Sequence, residues 1–343
     1  MMNAVSTATL FAIPRNASVD VQKQLTDAET ELTTGFLADP VKSLGSQIGL
    51  DETLQAQSDT LSNLQSANNI VQSSLTASQN ALTSISSDAQ SFASALITAQ
   101  STGSAATLQT QAQDFLASLT SQLNTSVGGS YIFGGINNST PPIADDSQSA
   151  QNATSAAFQA LLSSTGSSVN SLSATDMQTF LSGAFANLFT GSNWSSNWSQ
   201  ASSTPMSALI SPNQTVTTSA SANDSAFQDL VSAYVSVADL SFNNLNSSTQ
   251  TAVLTNAQQL IGSATQGITN LQASLGISQS QITNANSQMQ TQATLMTNSV
   301  SQIAGVDPSQ AATNLSNLTT QLETAYSLTD RISKLGLVNY LST

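Results

Sequence analysis

Residues 50–96 read LDETLQAQSDTLSNLQSANNIVQSSLTASQNALTSISSDAQSFASAL, and the spacing within that stretch decides the fold. Alternate steps of four and three from Leu50 land on Leu54, Gln57, Leu61, Leu64, Asn68, Val71, Leu75, Ser78, Leu82, Ile85, Ala89, Phe92 and Leu96. These steps average 3.5 residues, close enough to the helical period for one narrow stripe to face a partner helix along its whole length. No Pro interrupts the run. The spacing predicts a helix about 70 Å long, roughly four times the usual length in globular proteins. A rod with a single apolar stripe persists only against partner helices, and the rest of the sequence bears on where they come from.

A second seam runs from Ile268 through Leu271, Leu275, Ser278, Ile282, Ala285, Met289, Gln292, Met296, Ser299 and Ile303. Shorter patterns flank the two. After Pro14, Val21, Leu25, Ala28 and Leu32 predict a first helix ending at Gly35, a natural residue just past a helix; Asp39-Pro40 then breaks the pattern, and residues up to Gly49 read as a linker. Leu108, Ala112, Phe115, Leu119 and Leu123 predict another helix, its end marked by Gly128-Gly129, and Phe227, Leu230, Val231, Tyr234, Val237 and Leu240 predict one more. The last helix starts with Asp307 as N-cap and Pro308 behind it. It carries Leu315, Leu318, Leu322, Ala325, Thr329 and Ile332, then the apolar tail Leu335, Leu337, Tyr340 and Leu341.

Ser130-Tyr131-Ile132-Phe133-Gly134-Gly135-Ile136 is an aromatic run bounded by Gly. No charged or catalytic group accompanies it, which favours a short strand or hairpin capping the helices over a ligand loop. From Asn137 to about Asn223 periodicity weakens around Pro141, Pro142, Pro205 and Pro212. Apolar runs such as Phe180 to Phe189, with Trp194 and Trp198, predict a folded insert of short strands and helices. The fold class expected is mainly α: a long antiparallel coiled-coil helical bundle formed by the N- and C-terminal regions, with a smaller mixed or β-containing insert domain. Its divisions are terminal helices at 1–43 and 307–343, a helical rod at 44–136 and 225–306, and an outward-facing insert at 137–224. Both termini should meet at one end.

Charge removes several functions. The net charge of −14 sets 19 acids against Arg15, Lys23, Lys42, Arg331 and Lys334, with no basic residue between Lys42 and Arg331. Nucleic-acid binding needs phosphate-neutralising bases, and an anionic membrane surface needs them too; neither is expected. No apolar run reaches membrane-spanning length, and Met1 to Pro14 lacks the basic start and long apolar stretch of a secretory signal, so no membrane insertion is expected and any export takes another route. Without Cys or His, thiol chemistry and His-based triads fall away, as do zinc and haem sites. Asp145-Asp146 and Asp51-Glu52 lack the converging oxygens that a Ca²⁺ site or catalytic dyad requires; they read as a solvated loop and a helix N-terminal turn. Lys23, Lys42 and Lys334 lie in terminal helices or linker, away from any pocket for a Ser–Lys pair. Asn-x-Ser/Thr triplets such as Asn138-Ser139-Thr140 arise by chance in so polar a chain. No catalytic residue, metal ligand or cofactor is expected.

The positive signal lies at the ends. Both terminal segments keep apolar stripes yet have little domain of their own to pack into, and an unpartnered apolar patch marks an association surface. Leu10, Phe11, Val21, Leu25, Leu32, Leu315, Leu322, Ile332, Leu335, Leu337 and Leu341 are the expected subunit-interface residues, ordering fully only against sister molecules.

These residues resemble the bacterial flagellin family. Leu32-Thr33-Thr34-Gly35 followed by Asp39-Pro40 is similar to the family's helix, Thr-Gly turn and Asp-Pro loop, although Ala38-Asp39-Pro40 replaces the commoner Asp-Asp-Pro and the loop is shorter. The run from Asp307 through Asn314, Leu322 and Arg331-Ile332-Ser333 to Leu337-Val338-Asn339-Tyr340-Leu341 resembles its C-terminal helix. Tyr131-Ile132-Phe133-Gly134-Gly135 with Thr140-Pro141-Pro142 resembles the hook-associated proteins of the hook–filament junction rather than the bulk filament subunit. The resemblance covers about residues 1–136 and 225–343. It implies a non-enzymatic structural subunit of the flagellum supporting motility, exported unfolded through the type III pathway to the extracellular hook–filament junction. It further implies a helical ring of copies, with another hook-associated protein and flagellin as neighbours and a cytosolic export chaperone beforehand. Filament flagellin stays open as a rival, and so does a coiled-coil adhesin or secretion-system translocator.

Overall fold

The computed structural model describes residues 7–102, 107–144 and 147–341. The chain is mainly helical and divides into two compact units, Met1–Asn63 with Gln288–Thr343, and Leu64–Ser287. Two long helices contribute to both: α3 (Ile48–Thr102) and α9 (Ser247–Ala304). The remaining helices are α1 (Thr7–Thr34), α2 (Pro40–Leu44), α4 (Leu108–Leu123), α5 (Ser147–Thr165), α6 (Ala174–Phe180), α7 (Gly191–Asn197), α8 (Ser225–Ala238) and α10 (Pro308–Leu341). Strands β1 (Ser126–Val127) and β2 (Ser130–Tyr131) form one antiparallel hairpin, and β3 (Ser207–Ser211) and β4 (Gln214–Thr217) another.

In the 64–287 unit, α3, α4, α8 and α9 form a bundle. From Leu61 to Leu96 every seam position of α3 is buried or half-buried, and Leu75, Leu82, Phe92 and Leu96 are fully enclosed. Leu50 and Gln57 are exposed, because a periodic stripe tells which face is apolar and not how far a partner covers it. On α9 the buried stripe starts earlier than expected, at Leu254, Ala257, Ile261 and Ala264 ahead of Ile268. The two helices run antiparallel, joined by Gln65 Nε2 to the Asn286 carbonyl (3.0 Å) and Gln79 Nε2 to the Gln272 carbonyl (2.8 Å). Helix α8 is apolar almost all round, and Ala226 to Ala238 are buried apart from Gln228 and Asp229, the pattern of a helix enclosed on every side. A Cβ on Gly267 of α9 would come within 2.7 Å of the Ala226 Cβ, so only a hydrogen there lets these two helices approach. Phe92, Phe115 and Tyr234 pack with ring centroids 5.1–6.0 Å apart.

Residues 147–217 add the short helices and second hairpin foreseen from Trp194, Trp198 and the Phe180–Phe189 run. One aromatic path links Phe158, Phe180, Phe185, Phe189, Trp198 and Trp194 at centroid spacings of 5.0–6.1 Å. Leu181–Phe185 is a π-helical turn. Asn223 ties the segment together: its Oδ1 accepts from Trp194 Nε1 (2.9 Å) and Ser199 Oγ (2.5 Å), and its Nδ2 donates to the Ala201 carbonyl (2.8 Å).

Several local expectations are corrected. Helix α1 begins at Thr7 and runs through Pro14; losing one amide hydrogen costs a few kcal/mol, which the turns on either side sustain. Residues 40–47 are the short helix α2 and a 3-10 turn at Gly45–Gln47 rather than a plain linker, because Asp39 and Pro40 supply a cap and a first helical residue. Gly128 and Gly129, both at positive φ (60° and 84°), form the β1–β2 hairpin turn and not a helix end; α4 closes earlier, at Asn124. Asp51 does lie in the first turn of α3 but is buried, its Oδ2 accepting from Gln55 Nε2. Asp145 and Asp146 lie outside the described residues. Among the described residues no helix is long and apolar enough to cross a membrane.

Candidate assembly interface

Helices α1 and α10 pack against each other within the unit that holds both chain ends. This agrees with the expectation that both termini meet at one end of an antiparallel arrangement: each terminal helix has the other as its partner. The turns that follow α1 and precede α10 zip together. Leu37 donates its amide to the Ala304 carbonyl (2.9 Å), Val306 to the Gly35 carbonyl (2.9 Å), and Phe36 and Gly305 form an antiparallel bridge. Gly35 takes φ 76°, the left-handed conformation that Gly adopts without a Cβ penalty. Gly305 is required for a different reason: a Cβ there would lie 2.1 Å from the Ser301 carbonyl oxygen. Farther along, Gln22 Nε2 donates to the Tyr326 hydroxyl, so α1 and α10 run antiparallel.

Small residues set how closely they approach. Ser18 and Ala28 on α1 and Ala311 and Leu318 on α10 are buried, and Val21, Leu25, Leu315 and Leu322 are half-buried in phase with them. Leu32 is exposed. Sequence reasoning left Ser18 and Ala311 unassigned, because small residues carry no apolar signal; their heptad phase with Leu25 and Leu318 would have revealed them. The side chains of Leu10, Phe11, Ile332, Leu335, Leu337 and Leu341 lie outside the described ones, although their backbone belongs to α1 and α10.

Along the seam and beyond it, apolar side chains remain in water. Val19, Leu32, Phe36, Val41, Tyr326 and Leu328 are 38–68% exposed. Phe36 also lines a groove of about 420 Å³ with Gln55, Asp59 and Val300. Asp39 caps α2 by accepting from the Lys42 amide (3.0 Å), with Pro40 in the first helical position.

The aromatic motif occupies the 64–287 unit. Tyr131 pairs with Ser126 in the hairpin, and its amide donates to the Asn138 carbonyl (2.8 Å). Ile132 and Phe133 are buried, with Phe133 edge-on to Phe227 at 5.7 Å; the motif caps the bundle, as the structural reading of the run held. Gly134 and Gly135 leave no room for side chains, since a Cβ would meet the Asn137 carbonyl oxygen at 2.6 Å or that of Ser202 at 2.4 Å.

Comparison with known proteins agrees with this geometry. The bacterial flagellin N-terminal helical region matches residues 5–138, and the bacterial flagellin C-terminal helical region matches residues 258–341, together more than half of the chain. The chain belongs to the bacterial flagellin family. Flagellins are structural, non-enzymatic proteins that self-assemble into flagellar polymers, and this flagellin-family chain is accordingly a structural subunit of the flagellum. Among solved structures, a Vibrio parahaemolyticus protein described as a flagellar hook-associated protein shares the fold. It superposes with a TM-score of 0.53 at 10% identity, over 76% of this chain and 99% of its own. No curated protein matches the sequence.

Proposed function

We propose that this flagellin-family subunit joins hook to filament, assembling through its terminal helices into a helical ring at the extracellular hook–filament junction. The observation that carries the reading is the α1–α10 pair, closed on one side by Ser18, Ala28, Ala311 and Leu318 and left apolar on the other at Val19 and Leu328, with Leu32 still exposed on the seam itself. Neighbouring copies cover that open side, and the half-buried Val21, Leu25, Leu315 and Leu322 become fully buried. Leu10, Phe11, Ile332, Leu335, Leu337 and Leu341 belong to the same proposed set of interface residues. Residues 1–43 and 307–343 then serve assembly, 44–136 and 225–306 form the rod, and 137–224 face outward. Another hook-associated protein and flagellin flank the ring, after type III export with a cytosolic chaperone. The Tyr131–Gly135 motif, with Thr140-Pro141-Pro142, supports a junction protein over a filament subunit.

The basic residues offer a direct test. All five lie outside residues 43–330, so trypsin can trim the ends and cannot cut between them. Monomer is expected to lose its ends at Lys42 and Arg331, both exposed, leaving a helical core that no longer assembles; assembled protein should resist trimming. Polymerisation by the trimmed core would refute the role of the ends. Electron microscopy of a deletion strain separates the two flagellar roles: filament-less hooks with secreted flagellin mark a junction protein, whereas absence of the filament protein itself marks a filament subunit.

A further inference from the structure

Within the 64–287 unit, a cleft of about 510 Å³ opens beside the end of α8. Leu116 and Trp198 form apolar wall, Gln113, Ser121 and Gln151 line its exposed part, and Asp239 is the only ionisable residue among the described residues that line it. The three polar side chains make no hydrogen bond within the described residues. Asp239 is half-buried, and its carboxylate likewise has neither a hydrogen bond nor an ion pair there. Burial pushes its pKa up.

The position of this carboxylate is unfavourable twice over. Asp239 is the C-cap of α8, whose last turn carries no base; the negative end of the helix dipole repels an anion and attracts a cation. Nor can the unit neutralise it, because residues 64–287 contain no Lys, Arg or His. A desolvated carboxylate at a helix C-terminus, with free amide and hydroxyl oxygens around it, has the chemistry of a cation receptor. The volume falls in the range of small-ligand sites.

We propose that this cleft binds an organic cation, a guanidinium or ammonium group on an alkyl stem. Asp239 takes the charge, the oxygens of Gln113, Ser121 and Gln151 accept the remaining N–H donors, and the stem lies along Leu116 and Trp198. Two sources supply that chemistry, a free small molecule or a basic side chain of a partner protein.

The test is titration of the full chain at neutral pH and low salt, followed by calorimetry, with agmatine as one probe and acetyl-Gly-Arg-Gly-amide as the other. Saturable binding is expected, weakened at least tenfold by Asp239→Asn. That variant removes a repelled charge from the helix end, so its melting temperature should equal or exceed the parent's. Gln151→Glu, at an exposed position, adds a second acid and should tighten binding several-fold, which keeps the proposal testable should Asp239→Asn misfold. Binding of both probes assigns a partner's side chain; binding of agmatine alone assigns a free cation. No saturable binding by either, or binding indifferent to both substitutions, overturns the proposal.

Discussion

Replacing Gly135 by Ala tests whether the aromatic motif is a packing device. Gly135 has φ 59°, and a Cβ there would sit 2.4 Å from the Ser202 carbonyl oxygen and 2.5 Å from that of Thr204. Two costs add. An Ala in left-handed conformation costs about 1–2 kcal/mol. Moving the 202–204 backbone away then breaks the hydrogen bonds from the Ser202 amide to the Gly134 carbonyl (2.9 Å) and from the Ile136 amide to the Thr204 carbonyl (3.0 Å), at about 0.5–1.5 kcal/mol each. The total is about 2–5 kcal/mol. Gly166 supplies the control: it has φ 62° and nothing within 4 Å of an added Cβ, so Gly166→Ala measures the conformational cost alone, about 1–2 kcal/mol. Urea unfolding followed by circular dichroism gives both values, and amide exchange at Ser202 and Ile136 reports the two bonds. Equal destabilisation by both variants, with both amides still protected in Gly135→Ala, would refute the steric argument.

Asn68→Leu should destabilise by about 1–3 kcal/mol, because it strips the Ile210 carbonyl and Asn286 Oδ1 of their donor; the double variant with Asn286→Leu should recover only part of the loss, since the Ile210 carbonyl still lacks its donor, and urea midpoints that leave the single variant unchanged would count against the pairing. Asp229 and Asp239 have folded-state pKa values above the ordinary 3.8, through burial and, for Asp229, the nearby Asp224. The folded state therefore binds more protons between the unfolded and folded values, and stability should rise as pH falls through the folded pKa, levelling off near 3.8. Urea midpoints from pH 7 to 4 check the sign, and Asp239→Asn should flatten the profile.

What the sequence made legible were features with a period. The α3 stripe, its α9 counterpart and the α10 start at Asp307-Pro308 can each be read from spacing and capping chemistry, because a helix repeats its demand every turn. Features resting on one contact were hidden. Gly128-Gly129 suits a helix end as well as a hairpin turn, and only the pairing of Ser126 with Tyr131 decides. Gly305 and Gly267 are needed for approaches to Ser301 and Ala226 that no spacing announces. The meeting of the two ends was legible from the mirrored order of the helices, but the contacts that α1 and α10 make with each other were not. Those contacts join residues some three hundred positions apart, as Gln22 and Tyr326 do, and no local spacing sets them.

The same long-range pairing raises a problem of register that the structure answers without charge. Gln65, Gln72 and Gln79 recur every seven residues on α3, and the outer two donate to the carbonyls of Asn286 and Gln272, also fourteen residues apart. A slip of one residue breaks both bonds, yet a slip of one heptad would still set the glutamines against backbone carbonyls of α9, with Gln72 reaching that of Asn286 or that of Gln272 according to its direction. The glutamines thus set the phase of the two helices but not which heptad faces which. Asn68 does that: buried on the seam, it bonds Asn286 Oδ1 (2.7 Å) and the Ile210 carbonyl of β3 (2.8 Å) together, and a heptad slip would set it against Gln279 or Ala293 and pull it from the hairpin. A single buried polar residue is a known way to fix register in paired helices, at some cost in stability. Because every group in this arrangement is neutral, the pairing should depend little on salt or pH, unlike helices held by surface ion pairs.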